Sequence, residues 1–528
     1  MRPTETELKL AFDPADARRL AASPELAGAR PRRERFEALY FDTPGRDLAR
    51  RGLGLRLRHE GRAWVATLKA EGDSAAGLHR RPEWNRPARG ATLDLALFAG
   101  TPLAKVPGAA RLHERLAVVT ATRFRRTRWI VEPASGSRLE VAIDEGEIVS
   151  GARRAPIAEL EIEVLEGPLD AAFDLAEALA ARVPLRPEPE TKLARGLALA
   201  AGAKRKPERA APVDLRPAND DAASAARLVA AACLAQAQAN ETGAIASDDP
   251  EFIHQLRVAL RRLRSSFRLF RAVLPPASLA PIAGEIAWAA RVLGECRDWD
   301  VFVAESLPPL LAALGDESAA RALATAARRR QREARHAARE AIASVRWGLA
   351  LVRLTRWIAT TPAAGSAGAP PLSDFASARL RKGARAVRRG ARAFDRLDAP
   401  GRHDLRIRVK RQRYAVEFLA SLFRGSGPRR HGKALAAAQE ALGLANDGIT
   451  ALAHVRELGA SPSVVDFCRG WFAAREAAGI ASARRALRRA AKARRFWRPK
   501  PPAAETVEAI REPGAPPQDS GSAPLGGS

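Results

Sequence analysis

Charged residues recur at every second position in several short stretches of the chain. Residues 5–9 read Glu-Thr-Glu-Leu-Lys, and residues 159–164 read Glu-Leu-Glu-Ile-Glu-Val. Successive side chains of a β-strand point to opposite faces, so each stretch presents one ionised face and one apolar face. On a single strand the ionised face would simply meet water. Because several strands repeat the arrangement, we expect an antiparallel barrel with a charged interior.

The signs of these charges are sorted by strand. Residues 55–58 read Leu-Arg-Leu-Arg, and residues 126 and 128 are also arginines, whereas Glu140 and Asp144 share one acidic face. An interior with acidic and basic walls suits a compact polyanion accompanied by a divalent cation. Carboxylates bind Mg²⁺ or Mn²⁺, and Arg and Lys bind phosphate oxygens.

Short alternating runs separated by Gly, Pro and Asp turns extend this pattern over the first 200 residues. We predict strands at 37–41, 54–58, 63–70, 78–85, 124–131, 139–147 and 159–165, in addition to the first. Helices are predicted at 13–26, 93–98 and 169–183. The fold class is therefore α+β multidomain, with an N-terminal antiparallel barrel.

These residues resemble a CYTH domain, the triphosphate tunnel metalloenzyme fold. The resemblance rests on Glu-x-Glu-x-Lys at residues 5–9 and on an ordered set of further motifs at 40–44, 53–58, 64–69, 81–84, 140–146, 159–163 and 191–196. It implies hydrolysis of a terminal phosphoanhydride by a water that the metal positions. The expected cofactor is Mg²⁺ or Mn²⁺, because the candidate ligands are hard oxygens.

The resemblance also implies roles for individual residues. The residues with an implied catalytic role are Lys9, Glu5 and Glu7. The metal ligands implied are Glu5, Glu7, Asp144, Glu161 and Glu163, with Glu83, Glu140 and Glu159 as further candidates. The phosphate chain would contact Arg56, Arg58, Lys69, Arg126, Arg128 and Lys192. Four arginines crowd residues 123–128, so the one that lines the tunnel is left open.

Positive charge is concentrated in the second half of the chain. The first 203 residues carry 33 Lys and Arg against 29 Asp and Glu, whereas the remaining 325 carry 55 against 31. A domain this basic should attract a polyanion. The second half is predicted to be entirely helical, after a linker at 204–219.

A basic helix motif occurs twice in this half. His254, Arg257, Arg261 and Arg264 follow one helix face, and the same face recurs 149 residues later as His403, Arg406, Lys410 and Arg413. A Leu-Gly pair and an aspartate after each motif repeat at the same offset. We therefore predict two duplicated helical bundles that face each other across a basic cleft.

This half resembles a CHAD domain, the conserved-histidine α-helical family, with both of its repeats. The resemblance rests on the two His-x-Leu-Arg starts, the basic clusters after them, and residues 297–300, 439 and 446–447. It implies that the helical half binds inorganic polyphosphate through the eight residues of the two faces. A CYTH domain fused to a CHAD domain is associated with inorganic triphosphatase activity in bacteria.

The predicted domain boundaries are 1–203 for the barrel and 220–498 for the helices, with repeats at about 220–361 and 372–498. Residues 499–528 are expected to be a disordered tail. Three widely separated cysteines are read as reduced core thiols. With no signal-like or membrane-spanning stretch, we expect a cytoplasmic protein with no membrane partner.

Three other functions fit the sequence less well. Thiamine triphosphatase or adenylate cyclase activity would use the same tunnel, but no stretch is dedicated to the organic group. A non-catalytic polyphosphate-binding protein would lack some of the acidic residues that line the tunnel, and in this sequence that set of carboxylates is complete. Nucleic-acid binding is disfavoured because few aromatic residues interleave the basic helices, so a polyanion without bases fits better.

Overall fold

The fold was analysed in a computed structural model. The structure describes residues 4–61, 63–133, 136–202, 204–216, 221–360 and 371–497. The predicted tail and most of the loop between the two helical repeats lie outside these residues.

The N-terminal part forms a closed antiparallel barrel. Within the described residues its strands are β1 (Thr4–Ala11), β2 (Arg32–Asp42), β3 (Leu53–Glu60), β4 (Ala63–Ala70), β5 (Asp73–Ala75), β6 (Leu78–Ala88), β7 (Ala117–Val131), β8 (Arg138–Ser150), β9 (Arg153–Glu166) and β10 (Arg186–Pro187). Eight of them close the barrel in the order β1-β9-β8-β7-β2-β3-β4-β6, and β6 pairs back with β1. The predicted antiparallel barrel is confirmed, with most strands longer than their alternating segments.

The barrel carries its apolar core on the outside. Leu8 and Leu10 of β1 and Leu160 and Ile162 of β9 are fully buried in one cluster with helices that cover the barrel. The apolar faces of β3 and β4 pack in a second cluster beneath residues 93–116. The opposite faces of the same strands, which bear the charges, therefore point into the barrel.

Short helices surround the barrel. They are α1 (Ala17–Ala21), α2 (Pro24–Ala27), α3 (Leu112–Arg115), α4 (Leu169–Ala180) and α5 (Lys192–Ala201). The single helix predicted at 13–26 is wrong: a 3-10 turn, α1 and α2 replace it. Ser23 is extended, with φ −64° and ψ 138°, because the residue before Pro24 is disfavoured in helical conformation.

The second half is helical throughout its described residues. Its helices are α6 (Ala222–Ala246), α7 (Pro250–Phe270), α8 (Pro276–Val301), α9 (Leu307–Leu314), α10 (Glu317–Ile342), α11 (Val345–Thr360), α12 (Leu372–Ala393), α13 (Ala399–Phe418), α14 (Gly427–Glu457) and α15 (Pro462–Lys492). A π-helical turn at Phe302–Ser306 joins α8 to α9.

The duplication extends to the helix starts. Asp249 caps α7 by accepting a hydrogen bond from the backbone of Glu251, and Asp398 caps α13 in the same way from Gly401. Both caps precede a proline in the first turn, where a missing N–H costs nothing. The two aspartates are 149 residues apart, which is the spacing of the basic faces.

The two halves share an interface. Val352 of α11 is buried in the apolar cluster outside the barrel. Beside it, Arg356 of α11 makes ion pairs with Asp170, Asp174 and Glu177 of α4 at 2.9, 2.7 and 3.1 Å. The backbone of α11 approaches so closely at Gly348 that a Cβ there would lie 2.5 Å from the carbonyl oxygen of Leu185.

Candidate active site

A cavity of about 400 Å³ lies inside the barrel. This volume falls in the usual range for ligand pockets. Its lining combines charged side chains from strands with the first turns of α5: Glu5, Glu7, Lys9, Arg56, Arg58, Lys69, Glu71, Arg81, Arg126, Glu161 and Lys192, together with Tyr40 and Phe124. The alternating charges of several strands thus converge in one space.

A buried acidic triad lies at one side of the cavity. The carboxylates of Asp144, Glu159 and Glu161 offer oxygen atoms within 4.8 Å of one another. Asp144 faces Glu159 across the β8–β9 ladder, which brings the two strands' acidic faces together. Lys192, from the first turn of α5, places its Nζ 2.8, 2.6 and 2.8 Å from these three carboxylates. An ammonium group therefore occupies the centre of the triad.

Further cations surround the triad. Arg126 donates two hydrogen bonds to Asp144, at 2.7 and 2.8 Å, and another to Glu161. Lys9 lies 3.5 Å from Glu159, which Arg195 also contacts. Three carboxylates thus contact four cations. The bidentate pair of Arg126 with Asp144 is a charge-assisted interaction, which is among the strongest hydrogen-bonding arrangements between side chains.

The pKa values of the triad follow from these contacts. Burial would raise the pKa of Glu159, but the charges of Lys192 and Lys9 outweigh it and lower the pKa to about 2. Burial likewise opposes ionisation of Glu161, yet Lys192 and Arg126 hold its pKa well below the usual range. Glu159 and Glu161 therefore stay ionised without a metal ion.

A second acidic group lies further along β9, beside the triad, and is poorly compensated. Glu7 faces Glu163 across the β1–β9 ladder, and Glu163 faces Glu140 across β8–β9. Among the described residues, Glu163 has no cation within ion-pair distance, whereas Glu7 is the carboxylate whose charge acts most strongly on Lys69 and Arg81. Burial, with Glu140 and Glu7 nearby, raises the pKa of Glu163 to about 7. This group has an excess of negative charge.

Glu5 belongs to the same acidic group. Lys69 contacts Glu5 and Glu83 at 2.6 and 2.7 Å. Burial nevertheless raises the pKa of Glu5 to about 8, which the Lys69 charge only partly offsets. Lys69 is thus shared by two buried carboxyl groups, and its charge does not offset the burial of Glu5, so this part of the cavity also favours an additional cation.

The basic wall is formed chiefly by β3 and β4. Arg56 lies 3.6 Å from Glu83, and Arg58 pairs with Glu60 while its guanidinium lies 5.1 Å from the Phe36 ring centroid. Burial, reinforced by the neighbouring Arg56, lowers the pKa of Arg58 to about 10. Arg56, Arg58 and Lys69 therefore present positive charge to the cavity.

Most of the residues predicted for the tunnel meet in this cavity. Glu5, Glu7, Lys9, Arg56, Arg58, Lys69, Arg126, Glu161 and Lys192 all line it. Asp144 lies beneath Lys192 and Arg126, and Glu163 lies beside Glu7. Arg128 is not part of the lining and is 3.6 Å from Glu34 and 3.5 Å from Glu140. Within the 123–128 cluster, Arg126 is the arginine that reaches the cavity.

Three charged residues of the site were not assigned a role from the sequence. Glu71 and Arg81 line the cavity, and for Arg81 its position two residues before Glu83 was the available signal. Arg195 contacts Glu159 from the second turn of α5. No strand periodicity marks a residue on a helix, so its place beside the triad depends on how α5 docks.

The two basic helix faces meet where α7 packs against α13. Arg261 donates a hydrogen bond of 2.7 Å to the hydroxyl of Tyr414 on the opposite helix. Arg262, which is 1% exposed, crosses the same junction to Glu417 at 2.9 Å. Arg413 donates to Gln439 at 3.0 Å. The predicted meeting of the two repeats is therefore present at this junction.

In each repeat, the equivalent arginine side chain lies beside the equivalent glycine of the next long helix. The side chain of Arg257 lies 3.6 Å from a Cβ built on Gly294, and that of Arg406 lies 3.5 Å from one built on Gly443. Their basic faces form what we call the helical cleft: Arg257, Arg261, Arg264, Arg406, Lys410 and Arg413.

The two histidines predicted beside the cleft differ. His254 is half-buried and has no hydrogen-bond partner at Nδ1 among the described residues. Burial and the nearby Arg297 lower its pKa, so the ring is neutral at pH 7. His403 is exposed in the first turns of α13. The motif is thus duplicated in sequence, but its histidines have different environments.

Comparison with known families and proteins divides the chain at the same place. Residues 3–197 match the CYTH domain model and residues 228–456 match the CHAD domain model. An inorganic triphosphatase of Haemophilus influenzae is 36% identical over 142 residues, which span 26% of this chain and 39% of that protein. The match therefore covers less than half of the curated relative.

Solved structures resemble each half separately. The CHAD domain from Ricinus communis is 31% identical, with a TM-score of 0.47, and covers 56% of this chain and 99% of its own. A putative adenylyl cyclase from Hippeastrum, reported to have a dominant triphosphatase activity, is 20% identical with a TM-score of 0.30, covering 37% and 95%. In the part of the chain that the structure describes, no helix has the length and apolarity to span a bilayer.

Proposed function

We propose that this chain, a CYTH domain followed by a CHAD domain, hydrolyses inorganic triphosphate inside the barrel and binds polyphosphate through the helical cleft. The observation that carries the first part is a single cavity in which an under-compensated acidic group faces a basic wall. A linear polyanion bearing a divalent cation satisfies both sides at once. The curated relative, an inorganic triphosphatase, supports the same reaction.

The two acidic groups of the cavity differ in their fit to a divalent ion. Glu5, Glu7 and Glu163 are hard oxygen donors, and the nearby cations do not offset the burial of Glu5 and Glu163, which suits binding of Mg²⁺ or Mn²⁺. The triad of Asp144, Glu159 and Glu161 is already neutralised by Lys192 and its neighbours. We therefore assign metal binding to the first group and propose that Asp144 and Glu161 orient Arg126 and Lys192.

A bound divalent ion would supply charge neutralisation and an activated water. The chain's own residues do the rest. Arg56, Arg58 and Lys69 hold phosphate oxygens, and Arg126 and Lys192, fixed by the triad, add further positive charge to the cavity. Charge in phosphoryl transfer spreads over the equatorial oxygens, so positioning and neutralisation are the main contributions required. Lys9, which is buried against Glu159, helps to hold that carboxylate in place beside Lys192.

The test measures phosphate release from tripolyphosphate, long-chain polyphosphate, ATP and thiamine triphosphate, each with Mg²⁺, Mn²⁺ or EDTA. We expect metal-dependent release, fastest from tripolyphosphate, and a loss of at least about tenfold in Glu7→Gln. Glu37→Gln, an exposed glutamate on β2, is the matched control and should retain activity. A preference for ATP or thiamine triphosphate would reassign the substrate, and no turnover would refute the enzyme.

Binding by the helical cleft is tested separately. Affinity for long-chain polyphosphate should fall in Arg257→Gln/Arg406→Gln and stay unchanged in Arg488→Gln, an exposed arginine of α15. It should also fall steeply with salt, because binding a polyanion releases its counterions. Unchanged affinity in the double variant would place the polyphosphate elsewhere.

A further inference from the structure

Lys9 lies at the point where β1 changes its neighbouring strand. Residues of β1 up to Leu8 pair with β6, and residues from Leu10 onward pair with β10. Between them, the Lys9 N–H donates a hydrogen bond to the carbonyl of Gly77 at 2.8 Å, and the Lys9 carbonyl accepts one from the N–H of Glu188 at 2.9 Å. The backbone of Lys9 is therefore held by a turn and by the residue that follows β10.

The turn that binds the Lys9 N–H is itself held by the helical half. Ala76 and Gly77 connect β5 to β6, and both have a positive φ, 57° and 93°. A non-glycine residue in this conformation is strained and persists only where its surroundings fix it. Ala76 is buried in the apolar cluster of the helices, and its carbonyl accepts a 3.2 Å hydrogen bond from the hydroxyl of Thr355, a buried residue of α11. Helix α11 thus fixes this turn.

The segment that binds the Lys9 carbonyl is held in the same way. Gln238, a buried residue of α6, donates a 2.8 Å hydrogen bond to the carbonyl of Pro187, directly before Glu188. The two segments also lie against each other: a Cβ built on Gly77 would be 2.9 Å from the nitrogen of Glu188 and from the carbonyl oxygen of Lys9. Lys9 is therefore enclosed by two segments, each bonded to a buried side chain of the helical half.

We propose that Gln238 and Thr355 of the helical half are positioning residues for Lys9 in the barrel. Neither is part of the cavity lining, and each fixes one of the two segments that bind the Lys9 backbone. The place of the Lys9 ammonium group, 3.5 Å from Glu159, depends on where that backbone lies. The inference rests on the proposed hydrolysis in the barrel and adds that the helical half takes part in building its site.

Loss of either hydrogen bond should move the enclosed backbone. It leaves a buried carbonyl without its donor, which is costly enough to favour a shift of the segment. A displacement of about 1 Å at a catalytic group can reduce turnover by up to about 100-fold. Arg56, Arg58 and Lys69 lie on β3 and β4, which pair with neither β5 nor β10. Turnover should therefore suffer more than substrate binding.

The first test compares hydrolysis of tripolyphosphate by the full chain and by Thr355→Val/Gln238→Leu. We expect kcat to fall about tenfold with KM nearly unchanged, and Thr355→Ser, which keeps the hydroxyl, to retain its kcat. Thr325→Val/Gln331→Leu is the matched control, because Thr325 is exposed on α10 and Gln331 bonds to Asp300 within the helical half. An unchanged kcat in the first pair, or an equal loss in the control pair, overturns the proposal.

Two further measurements connect the effect to Lys9. In the residual turnover of Lys9→Met, the Thr355→Val/Gln238→Leu changes should cause no additional loss, because they act through the missing side chain. A further loss of about tenfold, as in the chain with Lys9 intact, would show that they act elsewhere.

Amide hydrogen exchange of the peptide that contains Lys9, followed by mass spectrometry, needs no turnover. Exchange should be faster in Thr355→Val/Gln238→Leu than in the control pair, since the Lys9 N–H loses a fixed acceptor. Equal exchange in the two pairs overturns the proposal. An intact chain that hydrolyses none of the substrates refutes the proposed function, and exchange still decides whether the helical half holds Lys9.

Discussion

At the residue scale, the barrel interior divides its carboxylates into two classes by their partners. Asp144, Glu159 and Glu161 are compensated by Lys192, Arg126, Lys9 and Arg195, whereas Glu163 has carboxyl neighbours and no close cation among the described residues. Burial alone does not separate the classes, because Glu161 of the first and Glu163 of the second are both only partly buried. The difference comes from the cations that neighbouring elements supply, and it decides which carboxylates require an external cation.

The raised pKa of Glu163 predicts a pH-dependent cost to folding. Its pKa of about 7 lies above that of an exposed glutamate, so the folded state binds this proton more tightly. The associated stability is present below about pH 4 and is lost as the pH rises through 7. Glu163→Gln should therefore raise the Tm by about 2 °C at pH 8 in EDTA, with little gain at pH 4.5.

Glu166→Gln is the matched control, because Glu166 lies on the same strand and is exposed. Its Tm should not change at either pH. An equal gain in Glu163→Gln at both pH values would show that the Glu163 charge is not the cause.

At the element scale, helix α11 joins the two halves through a close backbone contact. Gly348 allows α11 to approach the segment before β10, where the carbonyl of Leu185 would be 2.5 Å from an added Cβ. A backbone atom cannot rotate away as a flexible side chain can. Only glycine fits at position 348 without a shift of the backbone, although glycine is a poor helix former.

Gly348→Ala should lower the free energy of unfolding by more than about 1 kcal/mol, because the added methyl group must push α11 away from Leu185. Gly284→Ala in α8 is the matched control: its Cβ would meet nothing within 4 Å, and alanine favours helix by about 1 kcal/mol over glycine. Denaturant unfolding of both variants measures the difference. A neutral or stabilising Gly348→Ala would contradict the close contact.

At the scale of the whole molecule, the barrel and the helices share part of one core. Val352 of α11 is fully buried in the cluster that covers the barrel, with Leu349 and Ala359 packed beside it. Gln238 of α6 donates a 2.8 Å hydrogen bond to the carbonyl of Pro187, on the strand that pairs with β1. The strand that carries Glu5, Glu7 and Lys9 is thus connected to the helical half through β10.

The shared core predicts cooperative unfolding. Calorimetry of the intact chain should give one transition, whereas Val352→Asp should separate it into two, because a buried charge in the interface favours separation of the halves. Leu228→Asp is the control, since Leu228 of α6 is 43% exposed. Two transitions in the intact chain would indicate that the interface contributes little to stability.

Alternation of charge along the strands was enough to predict the barrel and the inner face of each strand, because side-chain direction in a strand depends only on position. The 149-residue repeat likewise predicted the two basic helices. The partners of each charge depended on tertiary structure. The strand register places Glu7 beside Glu163, and the docking of α5 brings Lys192 into the acidic triad. Packing of α7 against α13 brings Arg261 to the hydroxyl of Tyr414, 153 positions away, and the repeat alone does not specify such a side-chain contact.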